Sequence, residues 1–349
     1  MKILAVGDQH HKLELPYASL FSDGRRSEWK SVVEVIHNTA VSCDAVVLMG
    51  DNLNLRNNPS SVLRDFVEFL KKFGDKPVHL LSGNHERAGL STALDFLQKL
   101  EHHNWHVHTS ITETKIGELK ALMVPYLTPA MVGASSNHEG VTKAVEKFGS
   151  GYDLAFFHQA ISGGMSNGTM VETFNEIVLP KEEVSKRTRW ALSGHIHQPQ
   201  FIPNNIVMTG SIFTSEVGEP GKNIYVYDTE LEGKQEFPIN QISLPVRGIY
   251  KVDWSNNPAE IFGGIPVNSI VKCIVTVPGT DIELVKETLK RFDASIIIEQ
   301  YPRERTKVHF EEGGLDLSMG NLLKVYAETK EIDYRDLQEG LALLEPAGV

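Results

Sequence analysis

The chain has 349 residues, of which 41% are apolar and 23% charged, and it carries a formal net charge of −11. Such a length supports a full core plus a smaller unit, because single cores stop growing at about 250 to 300 residues. The composition excludes disordered and fibrous classes, and the negative balance argues against coating nucleic acid through a broad basic face, although not against local phosphate contacts.

The first predicted element is the apolar run Lys2–Val6, read as a strand leading straight into Asp8. It is too short for a signal-peptide core, and no window holds 18 consecutive apolar residues, so the expectation is a cytoplasmic protein with no membrane partner. Helix-like segments Ser27–Ser42 and Ser60–Phe73 follow, the second placing Val62, Phe66, Phe69 and Phe73 at helical spacing, and each opening on Ser as a candidate N-cap. Between and after them the strand candidates are Ala45–Met49, Val78–Leu81, Leu119–Val124, Leu154–Phe157 and Arg189–Leu192, a βα alternation. From Phe201 to Ile242 short β-prone runs, Ile206–Thr209 and Asn223–Tyr227, suit strands closing a second sheet. A boundary is placed near 244, beyond which Tyr250–Trp254, Ile270–Val277, Asp281–Phe292 and Ala294–Gln300 read as strand, strand, helix, strand. The expected division is 1–244, a smaller unit 245–312 and a tail 313–349 with amphipathic helices at 318–329 and 334–344. Residues 311–349 carry −6 of the −11, whereas 245–310 are near neutral. Cys43 and Cys273 are far apart and unpaired in spacing, which supports neither a disulfide nor a cysteine metal site and suits buried packing.

Five short polar clusters follow the apolar runs: Asp8-Gln9-His10, Gly50-Asp51-Asn52, Gly83-Asn84-His85-Glu86, His158, and Gly194-His195-Ile196-His197. Among them Asp8, Asp51, Asn84 and the five imidazoles make a mixed oxygen and nitrogen set for first-row divalent metals. In open α/β sheets ligands gather beyond the carboxyl ends of strands, so the clusters can converge. A pair of metals needs a bridging ligand, and the two oxygens of Asp51 suit it best. His85, an imidazole beside a ligand, is the candidate proton donor. Singly the clusters are weak, since Gly-Asp is usually a turn and a lone His after a strand is usually a core residue; their conjunction carries the reading. No acidic or strand-end pattern supports His102, His103, His106 and His108, which are read as surface residues, and His11 has two readings, a substrate contact or a solvated loop residue.

The ordered blocks resemble the calcineurin-like metallophosphoesterase superfamily over residues 2 to about 230. Gly194-His-Ile-His-Gln-Pro-Gln200, Thr209-Gly-Ser-Ile212, Lys222-Asn-Ile-Tyr-Val-Tyr-Asp228 and Arg25-Arg26-Ser27-Glu28-Trp29 are similar to the SbcD family of DNA-repair nuclease subunits. The resemblance implies an α/β/β/α two-sheet sandwich with an α+β cap that helps hold DNA and a helical tail docking on a coiled-coil ABC ATPase (SbcC-like). It implies that Asp8, His10 and His197 hold one metal and Asn84, His158 and His195 the other, with Asp51 bridging, His85 catalytic and Glu86 orienting it. Manganese is the expected ion, with iron, zinc or magnesium also accepted. The implied activity is duplex exonuclease and single-strand endonuclease, with a possible homodimer through early helices. Two departures stand out: Asn54 where Asp or His is usual, and Glu86 where Asp is usual. The alternative function is a metallophosphodiesterase or phosphatase acting on a nucleotide, a small phosphodiester or a phosphoprotein. A non-catalytic scaffold is disfavoured because every ligand position is filled.

Overall fold

Strands buried on both faces read as continuous apolar runs, and Ile3, Leu4, Ala5 and Val6 are all buried in the computed structural model of the chain. The structure describes residues 1–11, 23, 25–100, 102–235, 237–254, 263–277 and 279–299. Lys2–Val6 pairs in parallel with Ala45–Leu48, that strand with Val78–Leu81, and that one with Trp105–His108. On its other side Asn223–Asp228 runs antiparallel, followed by Ile239–Ser243, so the first sheet has six strands. The second six-stranded sheet is built round Tyr152–Phe157, parallel to both Leu119–Val124 and Thr188–Ser193, and Thr188–Ser193 pairs in parallel with Ile206–Met208. Thr112–Ile116 and Gln200–Ile202 close its edges antiparallel.

Side-chain alternation sorts these strands into layers. Leu4, Val6, Val46, Leu48, Val78 and Leu80 pack under Val32 and Ile36 of helix Arg26–Val41 and Phe66, Phe69 and Leu70 of helix Ser60–Lys71. Ile3, Ala5, Val47, Met49 and Leu81 face the opposite way and meet Ala121, Met123, Leu154, Phe156, Leu192 and Val207 of the second sheet. The far face of that sheet, with Leu122, Val124, Ala155, Phe157 and Ala191, packs on Ala144, Phe148 and Val184. The fold is therefore mixed α/β, with two large, parallel-rich sheets face to face and helices outside them. Phe66 and Phe69 belong to this core rather than to an exposed face.

Several local expectations are corrected. Neither Ser27 nor Ser60 caps a helix: the Asp23 carboxylate accepts from the N–H groups of Arg25 and Ser27 at 3.0 Å each, and the second helix follows Pro59 with no side-chain cap. Asn223–Asp228 was expected in the second sheet but extends the first, where its all-buried face adds to the edge beside Lys2–Val6. A smaller three-stranded parallel sheet, Ile249–Asp253, Ile270–Val275 and Ala294–Glu299, packs its own core of Val252, Val271, Cys273 and Val275 on helix Ile282–Leu289. Arg247 ties it to the large body, its main-chain N–H 2.7 Å from Glu28 and its Nε 3.0 Å from Asp293. Glu28 in turn receives the fully buried Arg25 guanidinium, Nη2 to Oε1 at 2.6 Å. Cys43 and Cys273 are buried free thiols. The two tail helices expected at 318–329 and 334–344 lie outside the described residues.

Candidate metal centre

All five clusters leave the carboxyl ends of parallel strands: Lys2–Val6, Ala45–Leu48 and Val78–Leu81 in one sheet, Tyr152–Phe157 and Thr188–Ser193 in the other. Stacking the two sheets brings the five loops to one place. The turns are tight: His10, Asp51 and His195 take positive φ of 45°, 45° and 75°, a conformation that costs an L-residue of order 1 kcal/mol or more and persists where the surroundings dictate it. Two glycines are required by space rather than by turn type. A Cβ on Gly50 would lie 2.2 Å from His158 Nδ1, and one on Gly83 would lie 2.1 Å from Asp51 Oδ1.

Three groups of metal-ligating atoms result, Asp8 with His10 and His197, His10 with Asp51 and His85, and Asp8 with Asp51 and His158; Asp8, His10 and Asp51 each belong to two of them. Asn84 Oδ1 lies 3.1 Å from His158 Nε2 and 3.0 Å from His195 Nδ1. Asp8, His10, Asp51, Asn84, His158, His195 and His197 thus converge on one place. Asp8 and Asp51 are also held by main chain: Asp8 accepts from His195 N–H at 3.0 Å and Asp51 from His85 N–H at 2.9 Å.

Outer partners fix which imidazole nitrogen faces inward. A carbonyl only accepts, so His158 Nδ1 donates to Met49 O at 2.6 Å and its Nε2 points at Asp51, 3.4 Å from Oδ1. Ser215 gives its hydroxyl proton to Glu219 at 3.1 Å and accepts from His197 Nδ1 at 3.1 Å, which leaves His197 Nε2 bare, 3.0 Å from His10 Nε2. His195 Nε2 donates to Glu176 at 2.9 Å, leaving Nδ1 bare towards Asn84. The centre therefore collects bare nitrogen lone pairs, an amide oxygen and two carboxylates, each carboxylate 1% exposed. Such a mixed oxygen and nitrogen set fits a first-row divalent cation, and without one His10 Nε2 and His197 Nε2, 3.0 Å apart, can share a proton.

The protonation balance says the same. Burial alone would lower His158, yet Asp51 and Asp8 outweigh it and raise it to about 9. Burial would raise Asp51, but His158 beside it brings it well below the usual carboxylate range. His10, with a buried Nδ1 that has no partner, is lowered to about 4, mainly by burial. The centre is negative enough to hold a cation, whether a proton or a metal.

The remaining sequence expectations divide. His85 stands at the rim with its side chain 43% exposed and Nε2 3.9 Å from Asp51 Oδ2. Its Nδ1 lies 3.3 Å from the main-chain carbonyl of Asn54, so the identity of the side chain at 54 does not enter that contact. Glu86 does not orient His85. It is fully buried and accepts from Gly83 N–H, Leu53 N–H and Asn52 Nδ2, all at 3.0 Å, which ties the Asp51 turn to the Asn84 turn. Burial and then Asp51 raise its carboxyl to about 7. His11 is neither a substrate contact nor solvated: it is buried, edge-on to Trp29 at 4.6 Å and Phe66 at 5.3 Å. Of the four histidines read as surface residues, His103 and His106 are exposed, but His108 is buried with Nε2 3.0 Å from His79 Nδ1. Sequence reasoning missed Glu176, Ser215 and Glu219 altogether. They lie in irregular loops, and only Glu219 carries a local signal, its 2.9 Å ion pair with buried Lys222 at i,i+3 spacing.

A two-sheet α/β fold with clustered carboxylate and imidazole ligands at the strand ends defines a metal-dependent phosphoesterase. The chain belongs to the calcineurin-like phosphoesterase family, whose model matches residues 1–199. Among solved structures it is similar to the protein TT1561 of Thermus thermophilus, at 13% identity and TM-score 0.38, over 70% of this chain and 98% of that one. A conserved uncharacterized protein of Streptococcus pneumoniae, described as a predicted phosphoesterase, matches at 13% identity and TM-score 0.29, over 64% and 80%. A Vps29 single mutant from Entamoeba histolytica matches at 12% identity and TM-score 0.30, over 70% and 99%. Among the described residues no helix is long and apolar enough to cross a membrane.

Proposed function

We propose that this phosphoesterase is a DNA nuclease, hydrolysing phosphodiester bonds at duplex ends and in single strands, with a coiled-coil ABC ATPase as its partner. The observation that carries the reading is the placement of His85 between two open cavities. One, of about 520 Å³, is lined by Asn54, Arg56, Asn57 and Asn84; the other, of about 340 Å³, by Asp8, His10, Phe213 and Thr214; His85 lines both. A chain-like substrate needs room on both sides of the bond being cut, whereas a small ester needs one pocket. Arg56 supplies a cation to the first flank for a neighbouring phosphate. The motifs at 194–228 and the small parallel sheet beyond 248 add to the resemblance to DNA-repair nuclease subunits.

Asp8, His10, Asp51 and His197 would hold one divalent ion, and Asp51, Asn84, His158 and His195 the other. Bound there, two such ions polarise phosphoryl oxygens and lower the pKa of water towards neutrality. The chain's own tasks are separate. Main-chain N–H groups hold Asp8 and Asp51 in place, Glu86 locks two of the turns together, and His85 Nε2, at the exposed rim, delivers a proton to the departing sugar oxygen.

Manganese and linear duplex DNA test this directly. Wild-type protein releases nucleotides and His85→Gln does so at least about 100-fold more slowly; no release by wild type, or equal rates, overturns it. The second reading, a small nucleotide ester, has its own support. A cavity of about 430 Å³ on the His195 side is lined by Tyr126, Phe174, Glu176, Glu216 and Glu219, acidic walls that suit a nucleoside better than a phosphate chain. A kcat/KM higher for bis-p-nitrophenyl phosphate or a cyclic nucleotide than for DNA would select it.

A further inference from the structure

We propose that Glu176 is a positioning residue of the metal centre, holding His195 by a carboxylate–imidazole bond and so raising the basicity of its inward-facing nitrogen. Both carboxylate oxygens lie 2.9 Å from His195 Nε2, and Tyr126 Oη donates to Oε2 at 3.2 Å. His195 and Glu176 each have side chains only 13% exposed, so the bond is largely shielded from water. Burial followed by Glu176 raises the Tyr126 phenol well above its usual range, and the phenol stays a donor to the carboxylate.

The other inward-facing imidazoles are held by weaker means. His158 donates to a neutral main-chain carbonyl, that of Met49. His197 donates to the Ser215 hydroxyl, and the nearby Glu219, 3.7 Å away, is neutralised by Lys222 at 2.9 Å. Among the described residues no lysine or arginine pairs with Glu176, so its charge is available to the metal side. His158 is flanked by both Asp8 and Asp51, whereas Glu176 is the carboxylate that meets the His195 ring at Nε2. A carboxylate behind a ligating imidazole fixes the tautomer, raises ligand basicity and changes metal affinity by about 10 to 100-fold when removed.

The inference rests on the metal centre alone, so it stands or falls independently of the substrate. Its test is manganese titration of metal-free, full-length protein by calorimetry, followed by electron paramagnetic resonance. Wild type takes two ions per chain and shows a spin-coupled pair. Glu176→Ala weakens one binding step by about 10 to 100-fold and leaves the other within about threefold, so that at intermediate manganese the spectrum becomes that of an isolated ion. Glu176→Gln, which keeps a hydrogen-bond acceptor without the charge, falls between wild type and Glu176→Ala. Melting curves in chelator show whether Glu176→Ala folds; if it does not, the one-step loss in Glu176→Gln carries the test. Two binding steps unchanged in the folded variants, or both weakened alike, overturn the inference.

Discussion

The molecule contains two groups of close-set imidazoles, and they differ in everything except spacing. In the metal centre His10 Nε2 and His197 Nε2 are 3.0 Å apart; at one edge of the first sheet His79 Nδ1 and His108 Nε2 are also 3.0 Å apart, with His106 stacked on His79 at 4.7 Å. The centre lies on loops beyond strand ends, with two buried carboxylates among the rings and an outer partner behind His158, His195 and His197. The second group lies within strands Val78–Leu81 and Trp105–His108, and among the described residues it forms no metal-sized group with a carboxylate. One N–H···N bond completes it. Burial then lowers His79 to about 3 and His108 to about 4, so both are neutral, whereas carboxylates raise His158 to about 9. Histidine density does not make a metal site; negative charge and fixed tautomers do.

The largest break in this comparison is Asp51→Asn, which removes the shared carboxylate. It should leave less than one manganese per chain by elemental analysis and lower kcat/KM by about 10³-fold or more, about 4 kcal/mol of barrier. His79→Phe should bind manganese as wild type does. Next is His85→Gln, with kcat reduced about 10² to 10⁴-fold at unchanged metal stoichiometry, which separates proton delivery from metal holding. Smaller again is the effect of metal on stability: manganese at 100 times its Kd should stabilise the fold by about 2.7 kcal/mol per site. Melting with and without chelator should show that gain in His79→Phe and not in Asp51→Asn.

The smallest effect concerns pH. His79 and His108 have folded-state pKa values below the ordinary 6.5, so the unfolded chain binds more protons between. Their contribution is present above about pH 6.5 and is lost as pH falls towards 4, at up to about 1.4 kcal/mol per pH unit for each. Urea unfolding in chelator should therefore give a shallower slope between pH 6.5 and 4.5 for His108→Gln than for wild type; equal slopes would show that His108 is protonated in the fold.

What could be read in the sequence follows the same division. Lys2–Val6, Val78–Leu81 and Leu119–Val124 are apolar runs because both faces are buried, and their bounds are visible in the residues themselves. The ligands were visible because each follows such a run at once. Edge strands were not: Thr112–Ile116 mixes Thr, Glu and Lys with one buried residue, and Trp105–His108 hides inside the histidine run. A β-prone run such as Asn223–Asp228 announces a strand without saying which sheet it joins, since that depends on which edge lies open. Glu176 lay beyond reach because it meets His195 across 19 residues from an irregular loop with no period or charge pattern. Glu86 was visible as a residue but not as a role, because its direction is set by the N–H groups of Gly83 and Leu53.

Anomalous diffraction from crystals soaked in manganese puts the central claim to its most direct test. The account predicts two peaks about 3.5 to 4 Å apart on either side of Asp51, one beside His10 and His197 and the other beside His158 and His195, with no peak at His79 and His108. A single peak at Asp51, or an occupied site between His79 and His108, would contradict it.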